Sequence, residues 1–209
     1  MLPKVLKAAV ARIATHVTDH GLASITVILH GGEPLLAGPD RLRRIIEEVR
    51  SLESTGVGLE LAIQTNGLLL DRTFLDLFLH HQVKVGISLD GTARAHDRRR
   101  RRPDGRGSHS GVDRAIKELS GPSYRSLFSG LLGVIDLDED PVAYYEEMIK
   151  YGPPRIDLLL PHGTWTVPPP GRIPGDESTP YGDWLVAVFD RWYSAPRRET
   201  GIQVFESVI

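Results

Sequence analysis

Glycine, carboxylate and amide residues gather in four short segments. His30-Gly31-Gly32-Glu33-Pro34, Gln64-Thr65-Asn66-Gly67, Ser88-Leu89-Asp90-Gly91 and Pro161-His162-Gly163-Thr164-Trp165 each follow an apolar run. In the first, paired glycines let a backbone approach a ligand closely and expose its N–H groups, while Glu33 offers a carboxylate to a cation. Read singly, each segment is also ordinary turn chemistry: Gly-Gly after a strand, Asn66-Gly67 in a turn, Asp90-Gly91 leading into a helix. The composition excludes other chemistry outright. The 209 residues contain no cysteine, so the chain itself supplies no disulfide, no thiolate nucleophile and no ligand for a cysteine-held zinc or iron–sulfur centre.

Arg98 to Arg102 form the strongest charge feature. Such a run can mark a phosphate or nucleic-acid patch. Here the net charge is −2, the pI is near 6.4, and no aromatics interleave the arginines. The reading is therefore a solvated loop with one arginine turned inward, and no nucleic-acid partner. His80 and His81 fall at a helix end and read as surface residues. His96, His109 and His162 are too scattered to make a metal site. Trp165, Trp184 and Trp192 read as packing residues.

The elements that position these segments follow from two alternating periods. Leu2, Val5, Leu6, Ala9, Ile13 and Val17 recur at helical spacing, and Gly21 ends the pattern. Ile25 to Leu29 is a β-branched apolar run, the mark of a buried strand. A helix entered near Asp40 follows, then a strand over 59–63, a helix capped by Asp71, and a strand over 83–89. A long polar loop is expected up to about Ser110. Beyond it come a helix with Val112, Ile116 and Leu119, a strand over 127–135, a helix opened by Asp140-Pro141, a strand over 156–160, a proline-rich loop, and a last helix from about Tyr181. Strands alternating with helices imply βαβ units and a parallel sheet. In such sheets ligands gather at the carboxyl ends of the strands, and all four polar segments sit there.

The bulk numbers fit one soluble domain, with 41% hydrophobic and 25% charged residues. No apolar run approaches the roughly 20 residues that span a bilayer. The amphipathic, basic start lacks a continuous apolar core and a cleavage site. The expected location is the cytoplasm, with no membrane partner.

Taken in order, HGGEPLL, IQTNGLLLD, VGISLDG and HD followed by Arg100 and GRGS resemble radical S-adenosylmethionine (SAM) enzymes of the SPASM type, such as peptide maturases and anaerobic sulfatase-maturing enzymes. FSGLLGVIDLDEDPVAYYE, RIDLLLPHGTWTVPPP and YGDWLVAVFDRWY resemble the FxsB family of peptide maturases. The resemblance implies an α/β fold, a partial (β/α)6 radical SAM barrel missing the first strand, with residues 1–209 a core segment truncated at both ends. It places the SAM ammonium at Gly31, Gly32, Glu33 and Pro34, and the SAM ribose and carboxylate at Ser88 and Arg100. Gln64 and Asn66 would line the cavity for cofactor and substrate, and Asp90 and His162 are weaker candidates for contact with the substrate. It implies a ribosomally made precursor peptide as substrate, modified by hydrogen abstraction and crosslinking, and a [4Fe–4S] cluster that a cysteine-free chain cannot ligate. Even Gly133 stands where relatives often carry cysteine. No catalytic residue is assigned. The chain is expected to be inactive by itself, either as a truncated enzyme or as a SAM- or peptide-binding adaptor of an intact maturase.

Overall fold

A computed structural model describes residues 2–173 and 175–209. The principal elements are α1 (Pro3–His20), β1 (Ser24–Leu29), α2 (Pro39–Arg50), β2 (Gly58–Thr65), α3 (Arg72–His80), β3 (Lys84–Ser88), α4 (Ala93–Arg99), α5 (His109–Leu119), β4 (Phe128–Val134), α6 (Pro141–Ile149), β5 (Arg155–Leu159), α7 (Pro180–Tyr193), β6 (Gly201–Ile202) and α8 (Gln203–Glu206). The strand order is β1-β2-β3-β4-β5-β6. The local signals act as their chemistry requires: Asp71 accepts from the Phe74 N–H at 3.1 Å and Asp140 from the Ala143 N–H at 2.7 Å, each starting a helix. Three short elements were not expected. β6 and α8 are too brief to show a period, and α4 hides in the polar stretch read as loop, where Thr92 caps it through the Ala95 N–H at 3.2 Å.

The chain forms two compact units, Met1–Thr65 with Leu69–Val85, and Asn66–Leu68 with Gly86–Ile209. In the first, β1 and β2 pair in parallel from Ser24↔Gly58 to Leu29↔Ile63. Leu42, Ile46, Leu61, Ile63, Leu75 and Phe78 are buried there. β1 stands first in the strand order and buries none of its residues, and Ile28 is 58% exposed. The buried strand expected over 25–29 is thus a strand, but one with Ile25, Val27 and Leu29 only half-buried and the alternate residues exposed.

In the second unit, β4 pairs in parallel with β5 from Leu131↔Ile156 to Val134↔Leu159, and β5 with β6. Tyr144, fully buried, anchors this core. Its ring lies where a side chain at Gly91 would go, its hydroxyl lies where one at Gly133 would go, and that hydroxyl donates to the Val134 carbonyl at 3.0 Å. Gly91 also has φ +61°, a conformation that glycine adopts without strain. A cysteine at 133 would collide with Tyr144 and the Leu89 carbonyl. Trp184 and Trp192 are packing residues, as expected, and each indole N–H reaches a carbonyl, Glu139 and Thr200 respectively. Trp165 is not: it lies fully exposed on the proline-rich loop, outside any helix or strand that could turn it inward.

Candidate ligand-binding residues at the strand ends

In the first unit, Gly31 and Gly32 follow β1 in an exposed turn, with the Gly31 N–H donating to His30 Nδ1 at 2.8 Å. A side chain placed on either glycine would meet no atom within 4 Å. Glu33 caps the 3-10 turn Pro34–Ala37. Its Oε1 accepts from the Leu35 N–H at 3.0 Å and from the buried Thr65 hydroxyl at 2.7 Å, which fixes the carboxylate at the end of β2. Gln64 sits half-buried on β2 beside Thr65.

In the second unit, Asn66 Oδ1 accepts from the Leu68 N–H at 2.9 Å, and Gly67 packs on Ile87 and Ala115. The Asn66 bond is ordinary turn chemistry, and Gly67, at φ +75°, suits glycine. Ser88 closes β3 as a buried residue, and Asp90 is buried two residues on. The structure brings Asp90 and Arg100 together in a bidentate pair, Nε to Oδ2 at 2.6 Å and Nη2 to Oδ1 at 3.2 Å. His162 lies exposed at the start of the proline-rich loop.

The arginine run is not the solvated loop expected with one residue turned inward. α4 carries Arg98 and Arg99 onto the acidic loop after β4: Arg98 reaches Asp136 at 2.5 Å and Glu139 at 3.2 Å, and Arg99 reaches Asp136 at 3.3 Å. Burial works against a charged Asp136, but the Arg98 and Arg99 bonds prevail and hold its carboxyl below the usual range. Spacing alone did not reveal these partners, because Asp136 lies 38 residues from Arg98. A cavity of about 330 Å³ in this unit is lined by Asp90, Arg99, Arg100 and Asp136 together with Pro161, Tyr181 and apolar residues of the β4 loop.

Two buried polar residues, quoted in the HD and GRGS segments but given no role there, stand behind the Asp90–Arg100 pair. His96 is fully buried, accepting from the Asp90 N–H at Nδ1 (3.2 Å) and bonding Ser108 Oγ at Nε2 (2.9 Å). The Ser108 hydroxyl in turn donates to the Arg100 carbonyl at 2.7 Å. Burial lowers the His96 pKa to about 4, against the opposing pull of Asp90.

The radical SAM superfamily model matches residues 4–149. The chain belongs to that superfamily. Among curated proteins it is 35% identical over 95 residues to the cysteine-type anaerobic sulfatase-maturating enzyme of Clostridium novyi, covering 46% of this chain and 25% of the relative. It is 32% identical over 134 residues to the serine-type enzyme of Klebsiella aerogenes, covering 63% and 32%. Among solved structures, native anSMEcpe with bound AdoMet and Kp18Cys peptide overlays with a TM-score of 0.77 at 22% identity, over 99% of this chain and 56% of the other. That likeness is one of fold, and it bears out the α/β, partial radical SAM barrel expected from the sequence. This radical SAM chain spans about half the length of the solved relative and less of these two curated ones.

The superfamily implies SAM and a [4Fe–4S] cluster. The cluster does not fit this chain: there is no cysteine, and among the described residues no group of three or more potential ligands could hold a metal. SAM fits better. The residue types that its charged amino-acid end would need are present in each unit: a fixed carboxylate, Glu33, beside open space at Gly31 and Gly32 in the first, and a cavity-lining arginine, Arg100, in the second. No helix among the described residues is long and apolar enough to cross a membrane.

Proposed function

We infer that this chain is the SAM-binding core of a SPASM-type, FxsB-like radical SAM enzyme that matures ribosomally made peptides in the cytoplasm. The observation that carries the reading is the superfamily match, which spans every candidate cofactor residue from Gly31 to Arg100. In this reading Glu33, with the Gly31-Gly32-Pro34 turn around it, takes the ammonium of SAM, and Arg100 takes the carboxylate. Ser88 bonds the ribose, and Gln64 and Asn66 border the space for cofactor and substrate. Asp90 and His162 were candidates for the peptide. Of the two, His162 keeps that role, because Asp90 is already bonded to Arg100.

SAM, if held here, would supply the hydrogen-abstracting group that leads to a crosslink in the peptide. This chain's own residues cannot hold the cluster, so their share is to bind and orient. The absence of cysteine also favours a second reading, a non-catalytic adaptor that presents SAM or peptide to an intact maturase.

Calorimetric titration with SAM tests the binding reading. Glu33→Ala should weaken SAM binding about tenfold or more, the scale of a lost charge-assisted hydrogen bond. Glu33→Gln keeps the capping shape and should lose a similar factor. Unchanged affinity in both variants would remove Glu33 from the site. Peptide binding that survives without SAM would favour the adaptor.

A further inference from the structure

We propose that Asp90, His96 and Ser108 are positioning residues that hold Arg100 so that only one edge of its guanidinium meets the ligand carboxylate. The inference rests on the reading of Arg100 given above and deepens it, because it reassigns Asp90 from the peptide to the arginine.

The argument starts from the donors. A guanidinium has five N–H groups and two edges that match a carboxylate, one formed by Nε and Nη2 and one by Nη1 and Nη2. Asp90 takes the first edge completely, at 2.6 and 3.2 Å. The Nη1–Nη2 edge is therefore the one left for a second carboxylate, and Arg100 lines the 330 Å³ cavity with its side chain 30% exposed.

Asp90 is itself fixed on several sides. Its Oδ1 also accepts from the Val134 N–H of β4 at 3.0 Å. Its own N–H donates to His96 Nδ1, which makes that nitrogen an acceptor and leaves the proton on Nε2. Nε2–H then donates to Ser108, and the Ser108 hydroxyl to the Arg100 carbonyl. The hydrogen bonds close a ring: Asp90 main chain, His96, Ser108, Arg100 main chain, Arg100 side chain, Asp90 side chain. Both ends of Arg100 are clamped within it.

The neighbouring charges sharpen the consequence. Asp90 neutralises Arg100, and Asp136 and Asp138 are paired with Arg98 and Arg99 at the same cavity. Net attraction for an anion is weak there, so recognition has to come from the geometry of the presented edge. A competitor and a positioner then predict opposite signs. If Asp90 merely competed with the ligand for Arg100, removing its charge would tighten binding. If it positions Arg100, the same change loosens binding.

The experiment titrates the full chain with SAM and with 5′-methylthioadenosine, which lacks the amino-acid carboxylate. Asp90→Asn keeps the shape but points an amide N–H at Arg100 Nε. It should weaken SAM about tenfold or more and leave 5′-methylthioadenosine unchanged, and Ser108→Ala should weaken SAM a few-fold in the same selective way. A general loosening of the fold would move both ligands alike. Tightened or unchanged SAM binding in Asp90→Asn, with Arg100→Ala weakened, would overturn the positioning role alone. Unchanged SAM binding in Arg100→Ala would overturn the reading on which it rests. Should Asp90→Asn fail to fold, proton exchange of the Arg100 Nε–H in Ser108→Ala decides: faster exchange than in the parent supports the clamp, and equal exchange overturns it.

Discussion

The turn after β1 and the turn after β3 look alike in sequence, each a polar residue and a carboxylate set against glycine, yet the chain treats them in opposite ways. Around Gly91 the space is full. Tyr144 occupies the volume a side chain would need, and Asp90 has Arg100, Val134 and His96 as partners. Around Gly31 and Gly32 the space is empty, although Glu33 beside them is held firmly by Leu35 and Thr65. Internal packing explains the glycine of the β3 turn; in the β1 turn the backbone conformation explains Gly31, at φ +153°, and leaves Gly32 unexplained. A residue choice that the fold does not require is where a ligand is the natural reason.

This contrast breaks most easily at Gly91. Gly91→Ala combines a backbone at φ +61° with a methyl group driven into the Tyr144 ring. Overpacking and left-handed strain together should destabilise the chain by about 3 kcal/mol or more, read as a lower urea midpoint. A midpoint within error of the parent would mean that Tyr144 yields easily and that the β3 turn is no more rigid than the β1 turn.

The next effect belongs to the polar residues behind the same turn. Burial, opposed by Asp90, lowers the His96 pKa from 6.5 to about 4. A folded pKa below the unfolded one means that the unfolded chain takes up the proton first. The stability contributed by neutral His96 is therefore complete above about pH 6.5 and is lost as pH falls toward 4. Between pH 7.5 and 5 the parent should lose about 2 kcal/mol that His96→Gln does not, at 1.36 kcal/mol per pH unit below the unfolded pKa. Urea unfolding of both proteins at the two pH values gives the difference, and parallel curves would show that the histidine is not sealed from solvent.

Much of this architecture was legible in advance, and the exceptions share a cause. Strands at 25–29, 59–63 and 156–160 and the caps Asp71 and Asp140 are local signals, set by residues within one turn of each other, and they appear where expected within a few residues. α4 was missed because five arginines mask a helix held by contacts with Asp136 and Glu139, residues remote in sequence. β1 reads as buried because SITVIL is apolar, but burial depends on what lies over a strand, which its own residues do not state. The site divides in the same manner. Glycine, glutamate and arginine stood out by type and order, whereas His96 and Ser108 lie in the HD and GRGS segments without a role that the sequence assigns them. Their roles come from hydrogen bonds across 12 and 8 residues that only the folded chain displays.

The smallest expected effect on stability sharpens the comparison from the other side. Gly32 has no positive φ, is exposed, and would place an alanine methyl in open space. Gly32→Ala should therefore change the unfolding free energy by no more than about 0.5 kcal/mol, the ordinary range for a surface substitution. In the proposed reading the same methyl would enter the space that the SAM ammonium approaches, so SAM affinity should fall several-fold while the urea midpoint stays put. A loss of both together would mean that this turn, like its counterpart after β3, is shaped by the fold. A loss of neither would leave Gly32 a simple turn residue and move the SAM ammonium away from this loop. Only the separation of binding from stability distinguishes a glycine kept for a ligand from one kept for packing, and Gly32 is the position in this chain where the two can be separated by one methyl group.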